Sequence, residues 1–310
     1  MPCMYDLAII GGGPAGVSAG VYSARKQLKT VFIAEVIGGQ STDSIEIQNW
    51  IGTPKVSGLD LAKTLETHLK EYVGEKGCVD LKIGERAMKV EKTAAGFMVT
   101  TSEGTYEARA VLVATGGSRR KLAVPGADIY EHKGVTYCAS CDGPLFAGQD
   151  TVVIGGGNAG FETAAQLLAY AKSVTLLSRS EYKADEVTVA KVLADPKMKA
   201  LMGFEPVEVK GEKFVKSFVY KNKDTGEQFE IPAGGIFVEI GMLPSTDFVK
   251  DILPLDSFGR IVVNPKNQQT SITGIWAAGD CTDELYHQNN IAAGDGVKAL
   301  EDIYMHLKTR

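Results

Sequence analysis

Tyr137-Cys138-Ala139-Ser140-Cys141-Asp142-Gly143 sets two thiols three positions apart, with a carboxylate directly after the second. Such a pair can close a small disulfide, and the adjoining acid can deliver or take up a proton. Together these groups could run dithiol redox chemistry. Three readings of a C-x-x-C pair compete: half of a structural zinc site, a reversible redox disulfide, or two unrelated thiols. Zinc requires four ligands, yet Cys3, Cys78 and Cys281 each stand alone and the four histidines are scattered. Zinc is therefore the poorer reading, and no metal is expected.

The elements that would position such a pair are announced by glycines. Tyr5 to Ile10 reads as a short buried strand, and Gly11-Gly12-Gly13-Pro14-Ala15-Gly16 leads from it into a helix reaching about Lys26. In a G-x-G-x-x-G turn the first glycine makes the turn and the second admits a pyrophosphate. The third lets helix and strand pack closely, and phosphate rests on the helix N-terminus. A second strand, Thr30 to Ala34, ends at Glu35, where a carboxylate can accept hydrogen bonds from an adenosine ribose.

The same pattern recurs 144 residues later. Thr151 to Ile154 reads as a strand, Gly155, Gly157 and Gly160 repeat Gly11, Gly13 and Gly16, and Phe161 to Ala171 reads as the helix. Two matches at one offset indicate two dinucleotide-binding units. The offset carries Glu35 onto Arg179, so a ribose acceptor in the first unit is replaced by a cation in the second. The two sites are expected to differ in ligand.

Between and after these units lie a turn-like Gly38-Gly39-Gln40, a polar stretch Gln48 to Gly52, and an amphipathic helix from Leu59 to Tyr72. Residues 81–108 read as an antiparallel meander placed before a parallel strand, Ala110 to Ala114. Segments near 117–120 and 241–245 read as hinges. Strand patterns alternate again from Pro206 to Val238. The strand Ile275 to Ala278 and a helix from Asn290 to about His306 follow, returning the chain to the first unit. The expected fold class is α/β: two Rossmann-like three-layer dinucleotide-binding domains, the second (118–242) inserted into the first (1–117 and 243–310).

Composition narrows the function. An apolar content of 44% with 23% charged residues is that of a globular protein of ordinary make-up. A net charge of −5 leaves no basic stripe for a phosphate backbone, so no nucleic-acid partner is expected. No run reaches the roughly 18 apolar residues of a membrane span. Five cysteines with one close pair suggest a reducing compartment, and the chain reads as cytoplasmic.

With these motifs in place, the chain resembles the low-molecular-weight thioredoxin reductases along its whole length. The resemblance rests on Gly11 to Gly16, Gly38-Gly39-Gln40, Ala114-Thr115-Gly116, Cys138 to Asp142, Gly155 to Gly160 and Ala278-Gly279-Asp280. The motifs are closest to those of a relative, the flavoprotein subunit of alkyl hydroperoxide reductase. The resemblance implies FAD on the first unit, at Gly11, Gly13, Pro14, Ala15, Gly16, Glu35, Gly39, Gln40, Asn49, Thr115, Gly116, Gly279, Asp280, Gln288 and Asn289. NADPH or NADH is implied on the second, at Gly155, Gly157, Asn158, Ala159, Gly160, Ser178 and Arg179. By the same resemblance Glu35 binds the adenosine ribose, Gln40 and Asn49 line the flavin, Asp280 holds the ribityl chain, and Gln288 faces the ring.

The family also implies roles for the thiols. Cys141 would face the flavin, Cys138 would attack a partner's disulfide, and Asp142 would move the proton, with the inserted domain swinging on its hinges. The implied activity is that of a thioredoxin-disulfide reductase working on a thioredoxin-like or other small dithiol protein, as a homodimer. Because the first glycine turn begins only eleven residues in, that partner is expected to be a separate protein. Lys133 and the residues after Gly143 would meet it, and Pro144-Leu145-Phe146 departs from the aromatic pair of thioredoxin reductases. Alternatives are a flavin-dependent dithiol oxidase, a reductase fed by another donor, or a flavin-binding redox sensor. Ser178-Arg179-Ser180 with Ala184 keeps one arginine of the set that clasps a 2′-phosphate, which favours NADPH with activity on both nucleotides. Cys281, beside Asp280, reads as a small packed residue, and Cys78 and Cys3 as bystanders.

Overall fold

The structure, a computed structural model, describes residues 4–44, 46–74 and 78–309; Cys3 lies outside the described residues. The chain divides into two compact units, one formed by residues up to Ser118 and from Leu243 onward, the other by Arg119–Met242.

The first unit opens with β1 (Tyr5–Ile10), α1 (Pro14–Arg25) and β2 (Thr30–Ala34), the two strands being parallel. Leu7 and Ile9 turn to one apolar layer, Ala8 and Ile10 to another. The two-residue alternation here separates two cores, as it must in a sheet covered on both faces. α2 (Gly58–Lys70) begins at Ser57, whose hydroxyl accepts from Asp60 N–H at 3.0 Å.

Residues 81–108 differ from the sequence expectation at both ends. β3 (Val79–Ile83) is parallel to β2, because α2 carries the chain back along the sheet as a crossover. β4 (Ala87–Lys92) and β5 (Phe97–Thr101) are antiparallel, but β6 (Thr105–Val113) is a single strand. Its first half pairs with β5 antiparallel and its second with β1 parallel. No glycine or proline interrupts Ala108-Arg109-Ala110, so nothing divides it. β7 (Gly117–Arg119) follows.

In the second unit the order is β8 (Val135–Thr136), α3 (Ala139–Asp142), β9 (Asp150–Ile154), α4 (Asn158–Leu167), β10 (Ser173–Ser178), α5 (Glu186–Leu193) and β11 (Met198–Met202). Then come β12 (Phe204–Gly211), β13 (Val215–Asn222), β14 (Gln228–Pro232) and β15 (Gly235–Val238). The parallel sheet runs β11-β10-β9-β15-β8, and β12-β13-β14 form a separate antiparallel sheet. Val153 packs with Phe161 and Phe237 beneath the helices, whereas Val152 and Ile154 join Phe218 on the other face.

The chain returns through β16 (Met242–Pro244), which pairs with β7. β17 (Ile275–Ala277) extends the first sheet beside β6, and α6 (Asn289–Thr309) lies along α1. Trp276, fully buried, donates from Nε1 to Asp302 Oδ2 at 2.9 Å, tying β17 to α6. Among the described residues no helix is long and apolar enough to cross a membrane.

Both units close their first strand in the same way. Gly11 and Gly155 sit at φ of +122° and +138°, a region that side chains disfavour. A Cβ on Gly16 would stand 1.9 Å from Gly11 O, and one on Gly160 2.0 Å from Gly155 O. We therefore expect Gly160→Ala to lower unfolding stability by about 1–3 kcal/mol or more, as overpacking does against unyielding backbone. Urea unfolding of the variant beside native protein checks this, and an unchanged midpoint would contradict the close approach.

Candidate active site

The first unit contains a cleft of about 870 Å³ where β1 and β2 end, within the range of about 300–1,000 Å³ usual for small-molecule sites. Gly11, Gly13, Pro14, Ala15, Glu35, Gly39, Gln40, Thr115, Gly116, Gly279, Asp280 and Asn289 line it. Gly16 lies behind the wall, serving the helix–strand approach. Asn49 and Gln288 do not line the cleft; they bond each other, Asn49 Nδ2 donating to Gln288 Oε1 at 3.2 Å. Asn289 is held by Ser41, whose hydroxyl donates to its Oδ1 at 3.0 Å.

Gly13 supplies a test of whether a dinucleotide fits. A Cβ there would meet no protein atom within 4 Å, and the residue's φ of −75° suits any side chain. Nothing in the protein itself requires glycine at this position, so the space it leaves is space for a ligand. Pro14 opens α1, and Gly13 caps it without a side-chain hydrogen bond, which leaves the first backbone N–H groups facing the cleft. The residues present fit FAD. Gly157 repeats the case in the second unit, again with no protein atom within 4 Å of a Cβ.

Sequence reading missed several cleft residues. Arg86 and Lys250 bring positive charge to it, and Arg86 Nε stands 3.7 Å from Glu35 Oε1. Both come from segments with no motif.

In the second unit Cys138 and Cys141 form a disulfide, with Cα atoms 5.3 Å apart. The pair sits on the short helix α3, which is anchored by buried Ala139 and by Ser140 Oγ donating to Gln166 Oε1 at 2.9 Å. Cys138 Sγ accepts from Cys141 N–H at 3.2 Å, a contact that favours a thiolate on Cys138 once the bond is opened. Thr136, at the end of β8, donates its hydroxyl to Asp142 Oδ2 and accepts from Cys138 N–H at 3.4 Å. Burial pushes the Asp142 carboxyl above its ordinary range, against the opposing effects of the Thr136 hydrogen bond and of nearby His132. Thr136, also missed in sequence, thus joins the acid to the first cysteine.

Phe146, half-buried, packs edge-on against core residue Phe237 with centroids 5.3 Å apart, while Leu145 is exposed. Cys281 is fully buried and its thiol is pushed up to about 11 by burial; Cys78 is half-buried. Among the described residues no group of three or more His, Cys, Asp or Glu could hold a metal ion.

The other turn of the second unit is organised by the protein. Asn158 Oδ1 accepts from Asp185 N–H at 2.9 Å, and Ser178, buried, donates its hydroxyl to Ser180 O at 2.7 Å. Arg179 is engaged as well: its Nε lies 2.9 Å from Glu205 Oε1. Its acid lies on β12, twenty-six residues away, where no sequence motif marks it.

The family profile described as pyridine nucleotide-disulphide oxidoreductase matches residues 5–296. The chain is 38% identical to the NADH dehydrogenase of Bacillus subtilis over 296 residues, covering 95% of this chain and 57% of that protein. It is 39% identical to the F subunit of alkyl hydroperoxide reductase from Escherichia coli over 298 residues, with the same two coverages. The chain thus spans little more than half the length of these curated relatives. Among solved structures, thioredoxin reductase from Streptococcus pyogenes superposes with a TM-score of 0.91 at 34% identity, covering all of both chains. Thioredoxin reductase from Giardia duodenalis does so with a TM-score of 0.91 at 31% identity, covering 98% of this chain and 99% of that one.

Two outcomes are expected. Gly13→Ala should fold with stability within about 1 kcal/mol of native, its weaker N-cap offset by lower chain entropy, yet purify with less bound flavin; full retention of flavin would show that the space is not used. For Asp142, the raised native pKa means that the protonated form is the better tolerated one. Its contribution to stability is present below the ordinary carboxylate range and is lost as pH rises through the native value. Asp142→Asn keeps an acceptor for Thr136, so it should gain stability relative to native oxidised protein between pH 3.5 and pH 7.5. Urea midpoints at the two pH values measure this, and a gain confined to the acidic end would reverse the assignment.

Proposed function

The chain belongs to the pyridine nucleotide-disulphide oxidoreductases, and from that premise we propose that it is a thioredoxin-disulfide reductase, passing electrons from NAD(P)H through FAD and the Cys138–Cys141 dithiol to a thioredoxin-like protein. The observation that carries this reading is the disulfide itself, held at α3 beside a half-buried acid with a raised pKa. Similarity over the full length of solved thioredoxin reductases supports it. FAD, when bound, takes two electrons from a nicotinamide as a hydride and can pass the pair to a disulfide.

The chain's own residues supply the remaining steps. Reduction opens the Cys138–Cys141 bond and adds two electrons and two protons, leaving two thiols. Cys138, favoured as thiolate by Cys141 N–H, attacks one sulfur of the partner's disulfide and displaces the other as a thiolate. Cys141 then attacks the Cys138 sulfur of the mixed disulfide, which re-forms the Cys138–Cys141 bond and frees the partner's second thiol. Asp142, poised by burial and positioned by Thr136, accepts and returns the proton.

Glu35, Gln40 and Asp280 are assigned to FAD, and the turn from Gly155 to Gly160 to the nicotinamide nucleotide. A second reading of the acceptor is favoured by one observation: identity to the alkyl hydroperoxide reductase protein of Escherichia coli exceeds that to the thioredoxin reductases above. In it the dithiol serves a hydroperoxide-reducing system through a small dithiol protein.

Anaerobic addition of NADPH or NADH to FAD-loaded protein should bleach the flavin absorption, and Cys138→Ser and Cys141→Ser should each abolish reduction of a partner protein's disulfide while retaining that bleaching. Only Cys138→Ser, which keeps the Cys141 thiolate, should show a long-wavelength thiolate–flavin band. Failure of both nucleotides to bleach the flavin would sink the reading, and turnover by either serine variant would remove the dithiol from it.

A further inference from the structure

Arg179 is the first residue past β10, the place in the second unit that Glu35 holds in the first. In a dinucleotide-binding unit the residue there meets the adenosine ribose, an acid accepting the 2′-hydroxyl and an arginine accommodating a 2′-phosphate. The sequence offers no acid at Ser178 or Ser180. The fold brings one in from another element. Glu205, second residue of β12, accepts from Arg179 Nε with its Oε1 at 2.9 Å. Its Oε2 lies 3.6 Å from Nζ of Lys221, the residue opposite it in register on β13.

Exposure separates the partners. The Arg179 side chain is 75% exposed and that of Glu205 only 23%, so the acid is the anchored member and the arginine lies over it. Ser178 adds little to an anion site, being buried with its hydroxyl already donated to Ser180 O. A 2′-phosphate arriving here would meet a cation already paired and a carboxylate of its own sign. A ribose hydroxyl would meet an acceptor.

Resting on the assignment of this unit to the nicotinamide nucleotide, we propose that Glu205 is a specificity-determining residue. By engaging Arg179 and repelling a 2′-phosphate, it tilts the site toward the nucleotide with a free 2′-hydroxyl, reversing the preference that the single arginine implies in sequence. Removing the charge of Glu205 leaves two cations, Arg179 and Lys221, without their shared counter-ion.

The test is equilibrium titration of FAD-loaded protein with adenosine 2′,5′-bisphosphate and with adenosine 5′-monophosphate, followed by the rates at which NADPH and NADH bleach the flavin. With Arg179 released to the phosphate and the repulsion removed, Glu205→Gln should shift the affinity ratio toward the bisphosphate by on the order of ten- to a hundredfold. Arg179→Ala should shift it the other way, and adding Glu205→Gln to Arg179→Ala should recover only part of that loss. A shift of less than about twofold in Glu205→Gln, or one toward the monophosphate, overturns the proposal even where both nucleotides bleach the flavin. If neither compound binds and neither nucleotide bleaches it, the nucleotide assignment of this unit falls and the proposal falls with it.

Discussion

Backbone contact between a helix and the strand that feeds it is the constraint on which both units depend. At Gly16 and Gly160 there is room for a hydrogen atom and no more, since a Cβ would fall about 2 Å from the carbonyl oxygen of Gly11 or Gly155. That approach fixes the helix N-terminus over the end of the sheet and aims its unpaired N–H groups at one point. The middle glycine, free of protein neighbours, then becomes a place where something other than protein can come close. Three glycines in one turn therefore do three different jobs. Only the middle one can be tied to a ligand; the outer two are needed by the fold with or without it.

This division explains what could be read in the sequence. β1 and β9 are apolar runs ending in glycine turns, and both the α/β class and the repeat are legible from them because strand burial and turn geometry are local. The strand β6 was harder, because a strand that changes from antiparallel to parallel partners partway along carries no local mark of the change. α5 and β11 were likewise unmarked, lying in a stretch without a turn-bounded apolar run. Cys138, Cys141 and Asp142 were legible by spacing. Thr136, Arg86 and Glu205 were not, since each matters through a partner brought near only by folding.

The dithiol and its acid also illustrate how a small element is kept in place. α3 has four residues, too few to be stable by itself. Its position comes from Ala139 in the core, from Ser140 on Gln166, and from Asp142 bound to Thr136. The two cysteines lend no sulfur to these contacts. Their neighbours carry the structural duty, so the sulfurs can exchange bonds without disturbing the fold.

The discontinuity of the first unit bears on the order in which the chain can mature. Val17, Leu28 and Phe32 share their apolar layer with Trp276, Leu300 and Ile303, yet the two groups are separated by the whole of the second unit. A ribosome adding about 5–20 residues per second needs on the order of 10–40 s to travel from Ser118 to Leu307. For that interval the face of α1 that α6 will cover stays open, while Arg119–Met242, contiguous and with cores of its own, is free to fold first. The nascent first unit is thus the part of the chain most in need of protection from association during synthesis, and its opening residues must wait for α6 before their core can close.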